Sequence, residues 1–193
     1  MTHETESSIG ALRAIKSEEL ELMLTWRNAP AVRANMYTRH EISLSEHLTW
    51  WARIQGRGDQ QYFMYELDAL PLGIVAFNEL DKLNKNSSWA FYASTTAPKG
   101  TGIKMEYLAL EYAFTKLGLH KLCCEVLAFN SSVIKLHEKF GFQVEGILRE
   151  QHKLEDAFVD IFRLGILATE WSVKREEMRL KVFGKGLRKQ TQL

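Results

Sequence analysis

The chain has 193 residues, of which 46% are hydrophobic and 25% are charged, and its formal net charge is +1. This composition is ordinary for one globular domain with a well-filled core. No apolar stretch in the sequence approaches the roughly 18 residues needed to span a bilayer. The polar, acidic first residues are also unlike a signal peptide. We therefore expect a cytoplasmic protein without a membrane partner.

The charge is unevenly distributed along the chain. Basic residues outnumber acidic ones after position 173, so the preceding part is net acidic. An acidic body argues against nucleic acid as the main partner, although a basic tail is also found in RNA-binding proteins. We favour one domain over residues 1–171, followed by a basic C-terminal tail or solvated helix over 172–193.

The two cysteines, Cys123 and Cys124, are adjacent in a segment with a strand-like composition. Their side chains should point to opposite faces of a sheet, and a disulfide between them would be strained. They also lack the spacing of a metal site, so we expect two packed thiols and no metal.

The pattern of apolar residues and turn residues predicts alternating strands and helices. Ser17 and the capping box Ser43-Leu44-Ser45-Glu46 predict the starts of the first two helices, and Asn28-Ala29-Pro30 predicts the end of the first. Short links between the three middle strands predict antiparallel neighbours. The predicted elements in chain order are strand 9–15, helix 17–27, a helix from 43 to about 55, strands 62–67, 72–80 and 88–94, helix 103–117, strand 121–127, helix 132–140, and strands 143–153 and 158–166. This order predicts a mixed sheet with helices on both faces, in the α/β (α+β) class.

A glycine-containing turn precedes the helix predicted at 103–117. Lys99-Gly100-Thr101-Gly102 lies between a strand and that helix, where free backbone N–H groups and the helix dipole favour an anion. Lys99 and Lys104 add positive charge. A P-loop is excluded because no Gly-Lys-Ser/Thr follows. A dinucleotide-binding fold is disfavoured because the preceding strands are antiparallel.

A second segment makes this turn more informative. Asn130, followed by Val133-Ile134-Lys135-Leu136-His137-Glu138-Lys139-Phe140-Gly141-Phe142, resembles the second signature of the GNAT family of N-acetyltransferases. Lys99-Gly100-Thr101-Gly102 fits the core of that family's pyrophosphate loop, and the order of elements matches over about residues 9–167. The resemblance implies a twisted, mostly antiparallel sheet of about seven strands that splays between strands 4 and 5. It also implies that acetyl-CoA, as cosubstrate, binds in the gap.

The resemblance implies a set of cofactor-binding residues around that gap. These are Tyr92, Ala93, Ser94, Lys99, Gly100, Thr101, Gly102, Ile103, Lys104, Asn130 and His137. Two positions depart from the family pattern. Ala97 stands where the family often has Arg or Gln, which predicts weakened phosphate binding, and His137 stands where a tyrosine acid is frequent.

Acetyl transfer to an amine needs a base for the ammonium group and an acid for the departing thiolate. His137 is the first candidate for the acid, because histidine titrates near neutral pH. A water molecule or Tyr92 is the alternative acid. Glu125 and Glu79 are candidate bases acting through water, and a solvated or salt-bridged carboxylate is the other interpretation of each.

A closer resemblance lies in the segments around Trp26-Arg27-Asn28 and His40-Glu41-Ile42-Ser43. These segments are similar to the UDP-amino-sugar N-acetyltransferases of pseudaminic acid biosynthesis, which serve flagellin glycosylation by acetylating the 4-amino group of a UDP-linked amino-dideoxy sugar. The implied partner is a small nucleotide sugar, with no nucleic acid, and a homodimer is left open. The implied substrate-binding residues are Arg27, Arg33, Met36, Tyr37, His40, His47 and Trp50.

Other functions stay open at this point. A ribosomal-protein N-terminal or polyamine acetyltransferase shares much of this pattern, but a polyamine site should be lined with carboxylates, whereas basic residues dominate here. A catalytically inactive acyl-CoA-binding sensor would account for Ala97 and His137. An RNA-binding accessory protein would use the basic tail.

Overall fold

The computed structural model describes residues 9–184, and in this part of the chain the predicted mixed sheet with surrounding helices is confirmed. A 3₁₀ turn at Ser17–Glu19 precedes the first α-helix, and a π-helical turn at Tyr112–Lys116 follows the fourth. The elements in chain order are β1 (Ala11–Ala14), α1 (Leu20–Asn28), α2 (Pro30–Arg33), α3 (Leu44–Ile54), β2 (Gln61–Leu67), β3 (Leu70–Asp81), β4 (Asn86–Ala93), α4 (Thr101–Glu111), β5 (Lys121–Leu127), α5 (Ser131–Phe140), β6 (Gln143–Leu154), β7 (Ala157–Leu167) and α6 (Ala168–Phe183).

The described strands form one seven-stranded sheet in the order β1-β2-β3-β4-β5-β7-β6. Neighbouring strands are antiparallel, except that β4 and β5 are parallel. Their pairing covers only Asn86–Ser88 with Lys121–Cys123, although both strands continue further. The predicted splay between strands 4 and 5 is therefore confirmed, and it opens a cleft in the middle of the sheet.

The core consists of two apolar clusters. Because alternate side chains of a strand point to opposite faces, Val75 and Phe77 of β3 belong to the larger cluster, which also contains residues of α4, α5 and α6. Ile74 belongs to the smaller cluster, where it packs with Met23 and Trp26 of α1. Each fully buried side chain of this size contributes about 1.5–3 kcal/mol to stability. The two clusters therefore stabilise the sheet in which the cleft opens.

Several helix boundaries differ from the prediction. Ser17 was expected to cap the first helix, but residues 17–19 form the 3₁₀ turn and α1 begins at Leu20 without a side-chain cap. The first helix ends at Asn28 as expected, but Pro30 begins another helical turn, α2, because a proline suits the first position of a helix. Helix α4 begins at Thr101 instead of 103, since Gly100 adopts φ 90° and serves as its N-cap. Of α2 and α4, α2 lines the cleft through Ala31 and Val32.

The C-terminal helix α6 packs on the larger cluster. Trp171 is 2% exposed and donates its indole N–H to Glu111 Oε1 at 3.0 Å, and Met178 is fully buried. The predicted domain end at 171 lies within this helix, and the basic residues after Gly184 lie outside the described residues. Within 9–184, no helix combines the length and apolar character needed to cross a membrane.

Candidate active site

The cleft between β4 and β5 holds a cavity of about 240 Å³. Trp89–Ala93 form one wall and Cys124–Leu127 the other, while Asn130 and His137 line the end nearest α5. Helix α2 and the turn after it, including Met36, close the opposite side. The cleft therefore gathers several predicted cofactor-binding residues from separate parts of the chain.

The β4 wall presents free backbone groups to the cleft. The Ser94 amide donates to Leu72 O at 2.8 Å, on the side of β3. Because successive amides of a strand point to opposite edges, the amides of Phe91 and Ala93 face the open side. The Ala93 amide is therefore available to a ligand, and its binding of the cofactor stays a prediction, whereas the Ser94 amide is used within the sheet.

The glycine turn forms the N-terminus of α4. Gly100 is its left-handed N-cap, and the Thr101 hydroxyl donates to Pro98 O at 2.7 Å. Amides in the first turn of a helix have no intrahelical acceptor, so those of Gly102 and Ile103 suit an anion. A Cβ on Gly102 would meet the nearest protein atoms at 3.6 and 3.7 Å, so the protein alone does not require glycine there.

Asn130 precedes α5 and borders the cleft. Its backbone carbonyl accepts from Val133 N at 3.1 Å, but its side chain makes no capping bond to the helix. The Oδ1 atom accepts from the Ser132 hydroxyl at 3.2 Å. The Nδ2 amide is then the group that could bind a ligand in the cleft.

A second cavity, of about 670 Å³, lies between β2–β4 and helices α1 and α3. We call it the acceptor cavity. Met36, Ala90 and Tyr92 line both cavities, so the two meet at these side chains. Burial raises the pKa of Tyr92 above its ordinary value, and the charge of Arg27 opposes this shift. The phenol is therefore a neutral proton donor at the junction.

Two basic side chains of the acceptor cavity have buried nitrogens without a partner in the described part of the protein. They are Nη1 of Arg27 and Nε2 of His47. Arg27 uses Nη2 to bond Thr38 O at 3.0 Å. Burial lowers the pKa of Arg27 and also lowers the pKa of His47. A buried donor left unpaired costs about 1–3 kcal/mol or more when charged, so a ligand oxygen that accepts from Arg27 Nη1 would remove this cost.

Aromatic rings form one side of the acceptor cavity. Trp50 stacks on His47 with ring centroids 5.3 Å apart, and Tyr62 meets Trp50 edge-on at 5.3 Å. The Tyr62 hydroxyl donates to Asn78 Oδ1 at 2.9 Å. Arg53 and Glu46 are the other charged residues on the lining. Such a wall can hold a flat ring or a sugar face.

His137 is buried beside the cleft. Its Nδ1 lies 2.8 Å from Glu106 Oε1, and its ring is surrounded by Trp89, Phe91 and Phe142. Since Nδ1 bonds Glu106, Nε2 is the ring nitrogen available to a ligand in the cleft. The position fits the predicted proton-transfer role, and the carboxylate partner was not foreseen.

Glu125 lies on the β5 wall of the cleft. Its Oε2 accepts from the Tyr37 hydroxyl at 2.9 Å, and its Oε1 lies 3.8 Å from Arg163 Nη1. Both oxygens are thus engaged. This contact ties the turn after α2 to β5. Burial raises the pKa of Tyr37 above its ordinary value.

Other predicted residues lie away from the two cavities. Glu79 is exposed in the irregular end of β3, with φ 54°. His40 is exposed and bonds Glu46 Oε1 through Nε2 at 3.0 Å. Arg33 and Tyr37 line a third cavity, of about 440 Å³, between α2 and the β6–β7 hairpin. The other predicted substrate residues line the acceptor cavity, whereas Arg33 and Tyr37 line the third cavity and His40 lines neither.

Sequence reasoning missed several residues of these cavities. Glu106 gave no signal because it is a single carboxylate on a largely apolar helix. Arg53 carried a usable signal, since it lies one helical turn after Trp50 and shares its face. Tyr62 and Asn78 come together only through strand pairing. Among residues 9–184, no group of three or more His, Cys, Asp or Glu side chains could hold a metal ion.

Comparisons with known proteins identify the family to which this chain belongs. Residues 11–143 match the family model described as an acetyltransferase (GNAT) domain. The chain is 27% identical to acetyltransferase PseH of Campylobacter jejuni over 130 residues, which cover 67% of this chain and 80% of PseH. It is 25% identical to spermidine N(1)-acetyltransferase of Vibrio cholerae over 167 residues, which cover 86% and 96% of the two chains.

A solved structure agrees at the level of the fold. The crystal structure of spermidine N-acetyltransferase from Vibrio cholerae in complex with CoA and spermine superposes with a TM-score of 0.79 at 23% identity. The match covers 84% of this chain and 97% of that one. The family match covers most of the chain. It agrees with the splayed sheet and with the turn before α4, whose free amides suit an anion. The chain therefore belongs to the GNAT family and is an acetyl-CoA-dependent N-acetyltransferase.

Proposed function

We propose that the acceptor is a UDP-linked amino-dideoxy sugar and that its 4-amino group receives the acetyl group. The observation that carries this proposal is the buried, unpartnered Nη1 of Arg27 on the lining of the acceptor cavity, where no described side chain or carbonyl accepts from it. A cationic donor in a partly dry site favours an anionic or oxygen-rich ligand. A nucleotide sugar supplies both phosphate and hydroxyl oxygens.

The charge of the acceptor cavity supports an anionic acceptor over a polyamine. Arg27 and Arg53 line it together with His47. Glu46 is the one carboxylate in the described lining, and it already bonds His40. A polyamine carries several positive charges, and each would be repelled by these arginines at short range.

The size and the aromatic wall of the cavity also support this acceptor. A volume of about 670 Å³ lies within the 300–1,000 Å³ typical of small-molecule sites. Trp50 and Tyr62 offer faces for a sugar or a uracil, while Met36 lies at the junction with the cleft. We expect the amine-bearing carbon to lie at that junction, next to Tyr92.

The third cavity, between α2 and the β6–β7 hairpin, provides further cationic groups. It is lined by Arg33, Arg39 and Lys153, and by His152, whose buried Nε2 has no partner within residues 9–184. Glu155 is the carboxylate on its rim. We propose that Arg33 and its neighbours serve an outer phosphate group of the acceptor.

Similarity to acetyltransferase PseH and the loop residues near α1 favour a place in pseudaminic acid biosynthesis and flagellin modification. Polyamine acetylation is the second candidate, because the similarity to spermidine N(1)-acetyltransferase covers more of the chain. The arginines of the acceptor cavity oppose that candidate.

The chemistry requires the residues of the cleft to move one proton from nitrogen to sulfur. When bound, acetyl-CoA supplies an activated acetyl carbonyl, whose carbon forms a bond to the neutral amine as its bond to sulfur breaks. The Ala93 amide stabilises the developing oxyanion. His137, or Tyr92 in its place, protonates the thiolate, and the ammonium proton leaves through a base, for which Glu125 lies in the cleft and Glu79 outside it.

A measurement of CoA release tests the acceptor directly. The enzyme is given acetyl-CoA with UDP-4-amino-4,6-dideoxy-N-acetyl-altrosamine, with spermidine, or with a peptide bearing a free N-terminus. We expect kcat/KM for the UDP-sugar to exceed that for spermidine by at least about a hundredfold, the scale set by one charge-assisted pair. A preference for spermidine would contradict the proposal, and no CoA with any amine would support an inactive sensor.

The variant Arg27→Met connects that preference to the cavity. We expect it to lower kcat/KM for the UDP-sugar about ten- to a hundredfold, with little change in KM for acetyl-CoA. Arg57→Met is the matched control, because Arg57 is exposed, pairs with Asp59 and lies outside the acceptor cavity. Equal effects of the two substitutions would argue against a substrate-binding role of Arg27.

A further inference from the structure

A buried carboxylate, Glu106, lies behind the proposed proton donor. Its side chain is 0% exposed and that of His137 is 3% exposed, and Oε1 lies 2.8 Å from Nδ1. The second oxygen, Oε2, is buried without a partner in the described residues. Burying a carboxyl group is costly unless it is paired, so this pair needs a physical explanation.

Packing alone does not explain Glu106. Its neighbours on α4, Met105 and Tyr107, are buried, and Ala109 and Leu110 belong to the same core cluster. An apolar side chain would fill this position with no desolvation cost, and replacing buried ion pairs in this way is often neutral or stabilising. Burial raises the pKa of Glu106, while the charge of His137 and their hydrogen bond oppose the shift. The buried pair therefore contributes less to stability than an apolar side chain at position 106 would.

The position of the pair points toward the reaction. His137 lines the same cleft as Tyr92 and Glu125, and its ring is held by Trp89 and Phe142. With Nδ1 bound to the carboxyl group, the ring cannot rotate without breaking that bond. Nε2 is thus kept in one place relative to the cleft.

The other titratable groups around the pair are few. Cys124 of β5 is the neighbour that interacts with Glu106, and burial raises the pKa of its thiol well above the ordinary value. That thiol stays neutral. Glu125 and Tyr92 lie on the two walls, and both oxygens of Glu125 are already engaged by Tyr37 and Arg163. His137 is the remaining group of the cleft wall suited to accept a proton.

We propose that Glu106 is a positioning residue that keeps the proton of His137 on Nδ1, so that Nε2 acts first as the base and then as the acid. The bound ammonium group first releases one proton to water, which leaves a neutral amine. As the amine nitrogen forms the C–N bond, Nε2 accepts the second nitrogen proton through a water molecule, and the Glu106 carboxylate stabilises the resulting imidazolium. The C–S bond then breaks and Nε2 passes this second proton to the thiolate, so that the products are an amide and a thiol. The proposal rests on the proposed role of His137 and is independent of which amine is the acceptor.

The variant Glu106→Gln tests this role. Glutamine keeps the shape and can still accept from Nδ1, but it cannot stabilise the imidazolium by charge. We expect kcat to fall about ten- to a hundredfold, with KM for acetyl-CoA changed less than about twofold. The acidic inflection of the kcat–pH profile should also move to lower pH, because loss of the carboxylate favours neutral histidine. A merely structural role would leave this inflection in place.

A matched control and a second measurement complete the test. Glu138→Gln removes an exposed carboxylate next to His137 on α5 and should leave kcat unchanged. A long-range ¹H–¹⁵N spectrum of the labelled wild-type enzyme, assigned with His137→Gln, should show the proton on Nδ1. A proton on Nε2 in neutral His137, or unchanged kcat and inflection in a folded Glu106→Gln, would overturn the proposal. Because the spectrum needs no turnover, its outcome is separate from the choice of acceptor.

Discussion

His47 shows how one buried side chain connects the acceptor cavity to stability. The residue is 3% exposed, and burial lowers its pKa below 6.5 despite a bond to the Leu20 backbone. In the folded state the neutral form is therefore favoured. The unfolded chain binds a proton at a higher pH than the folded one, so stability rises with pH through this window.

We predict that the free energy of unfolding falls as the pH drops below about 6.5, the ordinary histidine value, and that His47→Gln makes this fall shallower. Urea unfolding at pH 7.5 and pH 5.5 measures the difference. His120→Gln is the control, because His120 is exposed. An unchanged pH dependence in His47→Gln would show that another group is responsible.

Single residues also show how far the sequence locates the site. Arg27, Met36, His47 and Trp50 line one cavity, and their binding of substrate stays a prediction. Glu106 was not predicted, because its partner is 31 positions away and only the packing of α4 on α5 brings them together. A local pattern carries no information about such a contact.

At the scale of elements, the turn before α4 contains two glycines that are needed for different reasons. Gly100 needs its positive φ of 90° to cap the helix, whereas a Cβ on Gly102 would make only ordinary contacts with Phe91 and Leu136. The first glycine therefore serves the fold. For the second glycine we propose a ligand that approaches the backbone closely.

We predict opposite results for two substitutions in this turn. Gly100→Ala should lower the free energy of unfolding by about 1–2 kcal/mol through backbone strain. Gly102→Ala should leave stability equal or raise it by up to about 1 kcal/mol, and should weaken acetyl-CoA binding at least about fivefold. Chemical unfolding and calorimetric titration measure the two effects. Unchanged affinity in Gly102→Ala would contradict the proposed phosphate position.

The elements themselves were largely predictable from periodicity and capping residues. All seven strands were expected, and the splay between β4 and β5 followed from the family resemblance. The parallel direction of this pair was not predicted. The helical turn at α2 was missed, because Asn28-Ala29-Pro30 was interpreted only as a stop. A proline that ends one helix can begin the next, and the sequence alone does not distinguish the two.

At the scale of the whole molecule, α6 closes the larger core cluster at the end of the chain. Trp171 and Met178 are its buried anchors, while Val173 on the same helix is 83% exposed. The Trp171 indole and Arg175 both bond Glu111, so the helix is also tied to α4 by polar contacts. The helix lies apart from the residues that line the cleft.

We predict that Met178→Ala lowers the free energy of unfolding by about 2–5 kcal/mol, the usual cost of a buried methionine truncation. KM for acetyl-CoA should stay within about twofold, since the cleft is lined by other elements. Val173→Ala is the control and should change stability by less than about 0.5 kcal/mol. A large change in KM with little loss of stability would mean that α6 shapes the cleft.

We propose that the splayed sheet and the α4 turn together hold the coenzyme so that its thioester meets the acceptor at Tyr92. A crystal structure of the complex with coenzyme A would show this arrangement. We expect the diphosphate against the amides of Gly102 and Ile103, the pantetheine arm between Ala93 and Asn130, and the sulfur beside His137. A diphosphate bound elsewhere, or a sulfur outside the cleft between β4 and β5, would contradict it.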